Sequence, residues 1–254
     1  MIMYVCSHKR FEKIIPKGYQ ILYVGPKKFD TSNGVTDDTG EQIAEKNSHY
    51  SELTAWYWIW KNDNSDYVGL CHYRRFFIDQ QGKIMGVSKL LDILKDYDVI
   101  VPTKMRLSKS VYQNYKQYHN IKDFEKTGQI IHQLTPEYDE AFKSVCNQHW
   151  LYPLNMMVLS KQLLNQYCEW LFPILFKLES QIDISQYDSY QSRIYGFISE
   201  RLFNVWLVKN QLNCIENAVD WSELSKSQKR IENLKQGILA FDSEHLHILD
   251  KSQK

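Results

Sequence analysis

The chain has no cysteine pair at ligand spacing: Cys6, Cys71, Cys146, Cys168 and Cys214 stand singly. An odd, scattered set argues against a disulfide framework and against a zinc cluster, and suits a reducing compartment. Net charge is nearly absent too. At +1 the chain carries no global field that would draw it to nucleic acid or acidic lipid, so any anion has to be recognised locally. There is no run of about 18 apolar residues to make a transmembrane helix. Residues 1–6 pass at once into polar sequence, without the charged start, apolar core and small-residue cleavage site of a signal peptide. Internal repeats, low-complexity tracts and linkers are also missing. The expectation is a cytoplasmic protein, at most peripheral to a membrane.

Apolar and aromatic residues are plentiful instead. Hydrophobic residues make up 43% and aromatics 14%, with 17 tyrosines and 7 tryptophans, which excludes a disordered chain. The length suits one large α/β domain, or such a domain with a helical annex. Its organising stretch is residues 66–77, D-Y-V-G-L-C-H-Y-R-R-F-F. Residues 67–71 read as a buried strand, a short apolar run bounded by Asn64, Ser65 and Asp66. His72, Tyr73, Arg74 and Arg75 follow at its C-terminal end, where open α/β sheets place ligands. Two guanidiniums there match a diphosphate, whose acceptor oxygens suit their forked donors. The alternative is structural. Neighbours on a strand point to opposite faces, so both arginines share a pocket only if the strand has ended, and either can pair with an acid on a nearby helix.

Residues 2–6 and 19–24 read as two more strands closing in polar loops, the way nucleotide-binding α/β halves begin. His8 and Lys9 in the first loop are candidates for a nucleotide phosphate or base, with plain solvation as the alternative. Asp37 and Asp38 read as turn residues rather than metal ligands. Residues 43–62 read as one buried helix, with Leu53, Trp56, Tyr57 and Trp60 at helical spacing. Lys46, Asn47 and Glu52 lie at its entrance, where backbone N–H groups and a cation can hold a phosphate or sugar. A helix over 87–95 and a strand over 98–102 follow. Residues 103–117, rich in Lys, Ser and Tyr, read as a mobile loop or lid.

The second half reads mostly as helix. Residues 122–148 are helical with a break at 134–138, and 161–179 form an amphipathic helix bent or ended near Pro173. Between them, 150–160 read as an apolar strand carrying Asn155, whose buried amide either ties down a loop or meets a hydroxylated ligand. Asp188 precedes a last motif at 193–202, R-I-Y-G-F-I-S-E-R-L, in which Gly196 interrupts the pattern and Ser199, Glu200 and Arg201 start or continue a helix. Plain helix electrostatics is the alternative for the Glu200 and Arg201 pair. The polar tail is helix-prone around 222–239.

Five stretches together carry a resemblance: K-N-x-x-x-S-E-L-T-A-x-Y-W-I-W-K-N at 46–62, V-G-L-C-H-Y-R-R-F-F at 68–77, Y-P-L-N-M-M at 152–157, Y-C-E-W-L-F-P-I-L at 167–175 and G-F-I-S-E-R-L at 196–202. They resemble a bacterial family known as domain of unknown function 4422, whose members resemble glycosyltransferases of capsule, exopolysaccharide and O-antigen synthesis. The resemblance implies a GT-A-like α/β fold, a central mixed sheet flanked by helices, in residues 1–208, with a helical C-terminal extension in 209–254. It implies a UDP-hexose donor, galactosyl or galactofuranosyl in the first place, and a lipid-linked oligosaccharide acceptor. The acceptor would be met at the inner face of the membrane through peripheral contact of residues 104–118 or of the C-terminal helix.

Many GT-A enzymes hold manganese or magnesium with a D-x-D motif at the end of a central strand, where this chain has His72, Tyr73 and Arg74. No metal ligand is assigned, and fixed guanidiniums can stabilise the charge on departing UDP as a metal would. By the resemblance, His8 and Lys9 lie near the nucleotide, His72, Tyr73, Arg74 and Arg75 on the donor diphosphate, and Lys46, Asn47 and Glu52 in support. Asn155 and Arg201 face sugar and acceptor. Glu200 is the base of an inverting reaction, with Asp188 in reserve; in a retaining reaction Glu200 would orient the donor sugar. Two other classes compete. One is a non-catalytic carbohydrate- or nucleotide-binding protein; the other, a nucleotide-sugar hydrolase or phosphotransferase, would need a clustered carboxylate metal site.

Overall fold

Alternation along the strands decides how this molecule is layered. In β1 (Ile2–Ser7), Tyr4 and Cys6 enter one core while Met3 and Val5 enter another. The same split recurs in β2 (Tyr19–Tyr23), where Leu22 faces one core and Ile21 and Tyr23 the other. A sheet buried on both faces needs apolar residues at every position, which is why these strands read as continuous apolar runs. Gly69 in β4 (Tyr67–His72) is the exception, and a Cβ there would run into the Met3 sulfur of the neighbouring strand.

The structure is a computed structural model and describes residues 1–221. After β2 come β3 (Val35–Thr36), α1 (Asn47–Tyr50) and α2 (Leu53–Asn62), and after β4 come β5 (Arg75–Phe77), α3 (Val87–Ile93), β6 (Val99–Pro102) and β7 (Met105–Arg106). Then follow α4 (Val111–Tyr118), α5 (Ile121–Leu134), α6 (Asp139–Asn147), β8 (Trp150–Leu151), β9 (Met157–Ser160), α7 (Lys161–Glu179), α8 (Ile194–Lys209), β10 (Cys214–Asn217) and β11 (Val219–Trp221). The central sheet runs β10-β6-β9-β4-β1-β2-β3, with β5 pairing to β4 and β11 to β5. β1 is parallel to β2 and β4, and β9 is antiparallel to both β4 and β6, so the sheet is mixed. Because β1, β2 and β4 run the same way, their C-terminal ends share one edge. Helices flank the sheet. On one face pack residues of α2 and α4 to α8, among them Trp56, Tyr115, Tyr167 and Trp206; on the other, Phe11, Phe76, Phe77 and Leu90 of α3.

Several local expectations change. The helix over 43–62 is broken at Ser51, whose φ of 52° ends α1 before α2 begins, with the Asn47 amide donating to the Ser51 carbonyl at 2.8 Å. The expected lid at 103–117 is packed structure. Val111 and Tyr115 of α4 are fully buried, Ser110 caps the helix, and Leu107 N–H donates to the His149 carbonyl at 2.8 Å. Lys104 pairs with Glu216 at 3.0 Å, so this basic stretch is already partly engaged. The strand expected over 150–160 divides into β8 and β9 around a turn. α7 runs on through Pro173, and α8 through Gly196. Where helix was expected from residue 209, β10 joins β6 in parallel and β11 joins β5 antiparallel. The helix expected at 222–239 lies outside the described residues.

Asp37 is more than a turn residue. It is fully buried at the end of β3 and accepts from Lys27 Nζ at 2.7 Å, Thr54 Oγ1 at 2.7 Å and the Gly25 N–H at 3.4 Å, joining two loops to α2. Removing one member of a buried ion pair leaves the other charge uncompensated. Asp37→Ala is expected to destabilise the fold by about 3 kcal/mol in urea unfolding. Asp38→Ala, which removes an exposed partner of the same Lys27, should cost no more than about 1 kcal/mol.

Candidate functional site

β4 ends at His72, and Tyr73 and Arg74 form a two-residue turn before Arg75 pairs back to His72. The strand has therefore ended where the arginines begin, and the rule that neighbours face opposite ways does not separate them. Tyr73 N–H donates to the Cys6 carbonyl at 3.0 Å, which lays this turn across the end of β1. The Tyr73 ring then gathers cations. Lys9 Nζ stands 4.7 Å and the Arg74 guanidinium 4.9 Å from its centroid, and His8 meets it edge-on at 5.1 Å. Rings hold such groups at a fixed height by their quadrupole, without neutralising the charge. His8, Lys9, Tyr73 and Arg74 are thus brought together at the C-terminal edge of β1 and β4.

A second group forms around the turn between β8 and β9. After Pro153, Leu154 and Asn155 take left-handed conformations with φ of 77° and 47°. Such non-glycine positions cost of order 1 kcal/mol each and persist only when surrounding contacts hold them. Here they are held. Leu154 N–H donates to Glu200 Oε1 at 2.8 Å, and the Leu154 carbonyl accepts from the His72 ring. Asn155 Nδ2 donates to Glu52 Oε1 at 2.7 Å and to the Gly196 carbonyl at 3.2 Å, its Oδ1 accepts from Ser199 at 3.1 Å, and its carbonyl accepts from Trp56 Nε1 at 2.8 Å. Of the two roles open to Asn155, the structure shows it tying the turn down. It does so by joining Glu52 to α8.

The remaining candidates divide. Glu200 projects from α8 with its side chain 14% exposed and its Oε2 at 3.3 Å from Arg201 Nη1. Arg201 itself is buried to 1%, donating to the Phe197 carbonyl at 3.0 Å and reaching Asn114 Oδ1 at 3.5 Å, so its guanidinium serves the helical core beside Glu200. Lys46 pairs with Glu179 at 2.8 Å and fastens the approach to α1 to the end of α7. Asn47 bonds the Ser51 carbonyl and Thr54 Oγ1, and Gly25 lies so close to its amide that a Cβ would collide. Both belong to the frame under the site. Asp188 is exposed and accepts the N–H groups of Tyr190 and Gln191 at 2.9 and 2.7 Å, capping the turn before α8.

Arg193 was not singled out from the sequence, although it heads the 193–202 motif. Its Nε donates to Ser51 Oγ at 3.0 Å, and its charge reaches His72 across the break between α1 and α2. Only the fold could show this.

The electrostatics are written on His72. Burial holds its pKa down to about 4; Arg75 and Arg193 push the same way, against Glu52 and the Leu154 carbonyl. Its ring is neutral at physiological pH. Among the described residues no group of three or more His, Cys, Asp or Glu side chains could hold a metal ion. The residues at the strand end do not fit a divalent cation either, since one His72 nitrogen is engaged by Leu154 and the positive charges of Arg75 and Arg193 act on the ring.

This mixed sheet flanked by helices, with cations gathered on Tyr73 at one strand end, belongs to a glycosyltransferase-like α/β domain. It matches the apo structure of WbbM, a bifunctional glycosyltransferase, with a TM-score of 0.79 and 30% identity, over 88% of this chain and 45% of that one. The chain thus spans less than half the length of that protein. The model of the family described as a domain of unknown function, DUF4422, matches residues 2–211, and the chain belongs to that family. The search of curated proteins found no match. No helix among the described residues is long and apolar enough to cross a membrane.

A His whose folded pKa lies below its unfolded value binds its proton more readily in the unfolded chain. Between pH 6.5 and about 4 this gives stability that is full above pH 6.5 and falls as the pH drops. In an NMR titration the His72 ring is expected to stay neutral down to pH 5, with its midpoint near 4. A midpoint at 6 or above would mean that the ring is solvated and carries no such linkage.

Proposed function

We propose that this protein is a glycosyltransferase that moves a hexose, galactose or galactofuranose in the first place, from a UDP-sugar to a lipid-linked oligosaccharide in capsule, exopolysaccharide or O-antigen synthesis. The observation that carries this reading is the convergence of Lys9, Arg74 and His8 on the Tyr73 ring at the C-terminal edge of the sheet, with Arg75 beside them. A diphosphate is the ligand whose charge and acceptor oxygens match that set. The family and the likeness to WbbM support the reaction class.

In this reading the acceptor hydroxyl attacks the anomeric carbon as the bond from that carbon to the UDP oxygen breaks. Negative charge grows on the leaving diphosphate, where Arg74 and Arg75 stabilise it in place of a metal. Glu200 takes the hydroxyl proton in an inverting reaction, with Arg201 and the Leu154 N–H holding its carboxylate. Glu52, anchored by Asn155, supports the donor site, and the catalytic unit runs past residue 208 to include β10 and β11 of the same sheet. The protein works at the cytoplasmic face of the membrane through peripheral contact.

Calorimetric titration with UDP, with and without manganese and with excess chelator, is expected to give binding that survives the chelator. Arg74→Ala should weaken UDP at least tenfold, the scale of a lost charged hydrogen bond. Donor affinity unchanged by that substitution would remove the diphosphate from this edge. Glu200→Gln should lower turnover by about 10²-fold or more while donor affinity holds. A protein that only binds has no turnover to lose.

A further inference from the structure

His72 stands where the cations converge, yet the chemistry it offers is of the opposite kind. One ring nitrogen donates to the Leu154 carbonyl, so in the neutral imidazole that nitrogen carries the proton. The other, Nε2, is then a lone-pair acceptor. It is shielded from solvent and has no hydrogen-bond partner among the described residues. A buried acceptor in that state invites a donor from a ligand. A phosphate oxygen cannot serve, because two acceptors repel. A hydroxyl can. Glu52, whose charge is felt at the ring, adds a carboxylate on this side, with one oxygen fixed by Asn155 Nδ2 at 2.7 Å. The site therefore has two poles, a cationic one at Lys9 and Arg74 and an accepting one at His72 and Glu52. A nucleotide sugar is polarised the same way, with an acceptor-only diphosphate next to a ring of hydroxyl donors.

We propose that His72 Nε2 accepts a hydrogen bond from a hydroxyl of the sugar in the nucleotide-sugar donor, with Glu52 beside it. His72 is then a residue that determines hexose specificity and not a diphosphate contact. This rests on the UDP-sugar reading above. The turn at Leu154 and Asn155 becomes the device that sets the ring: its carbonyl chooses which nitrogen is protonated, and its amide sets the neighbouring carboxylate.

The test is calorimetry of the full chain with UDP, UDP-galactose and UDP-galactofuranose, using wild type, His72→Asn and His72→Phe. Asparagine keeps an amide donor near the position that bonds Leu154 and deletes Nε2; phenylalanine keeps the ring volume and deletes both nitrogens. Both variants are expected to bind UDP within about twofold of wild type, and His72→Asn to weaken the better-bound UDP-hexose about tenfold, the scale of one lost neutral hydrogen bond. A thermal melt close to wild type shows that the asparagine variant is folded. Equal weakening of UDP and UDP-hexose would make His72 a diphosphate contact and overturn the proposal, and so would an unchanged UDP-hexose affinity. A wild-type chain that binds neither UDP nor either UDP-hexose overturns the donor reading itself, a result visible before any variant is compared.

Discussion

The backbone of Leu154 is the point on which the site depends. Its N–H is taken by Glu200 from α8 and its carbonyl by His72 from the end of β4, so the two backbone groups of one residue tie a helix to the central sheet. The left-handed conformations of Leu154 and Asn155 aim those groups, and four hydrogen bonds on Asn155 offset the strain. Tertiary contacts hold a conformation that the local sequence would not choose. A glycine would relax it, at the cost of the Asn155 amide that joins Glu52 to α8.

Around this point the polar residues sort into two kinds. Asp37, Asn155 and Arg201 are almost wholly enclosed, and their hydrogen bonds end on protein. They are frame, since a buried charge or amide is stable only when paired. Lys9 and Arg74 also rest on an aromatic face, whose quadrupole positions the two cations at the end of β4. His72 belongs to neither kind. Its proton is spoken for and its second nitrogen is buried without a partner among the described residues.

Much of this was legible in the chain. The apolar run of β4 ending in His72, Tyr73, Arg74 and Arg75 marks the sheet edge, and the edge is where the cations gather. The break at 134–138 and the long helix over 161–179 follow from turn chemistry and periodicity. Residues 103–117 misled because α4 buries Val111, Asn114 and Tyr115 among polar neighbours that hide the apolar stripe. The strand expected over 150–160 misled in the same way, for an apolar run does not announce a left-handed turn in its middle. Lys46 and Asn47 were correctly placed at the helix entrance, but the break at Ser51 turned them towards the frame.

By itself the sequence determined which strands are buried on both faces, that their shared edge carries paired guanidiniums, and that most aromatic residues are core, because these properties depend on composition and period along the chain. Only the tertiary structure decided which carboxylate faces which cation. Arg193 reaches His72, Asn155 grips Glu52, and Lys46 meets Glu179 across separations that no local pattern encodes. Pairing between distant residues is set by packing geometry, and the proton position on His72 is set by one carbonyl that the fold brings to it.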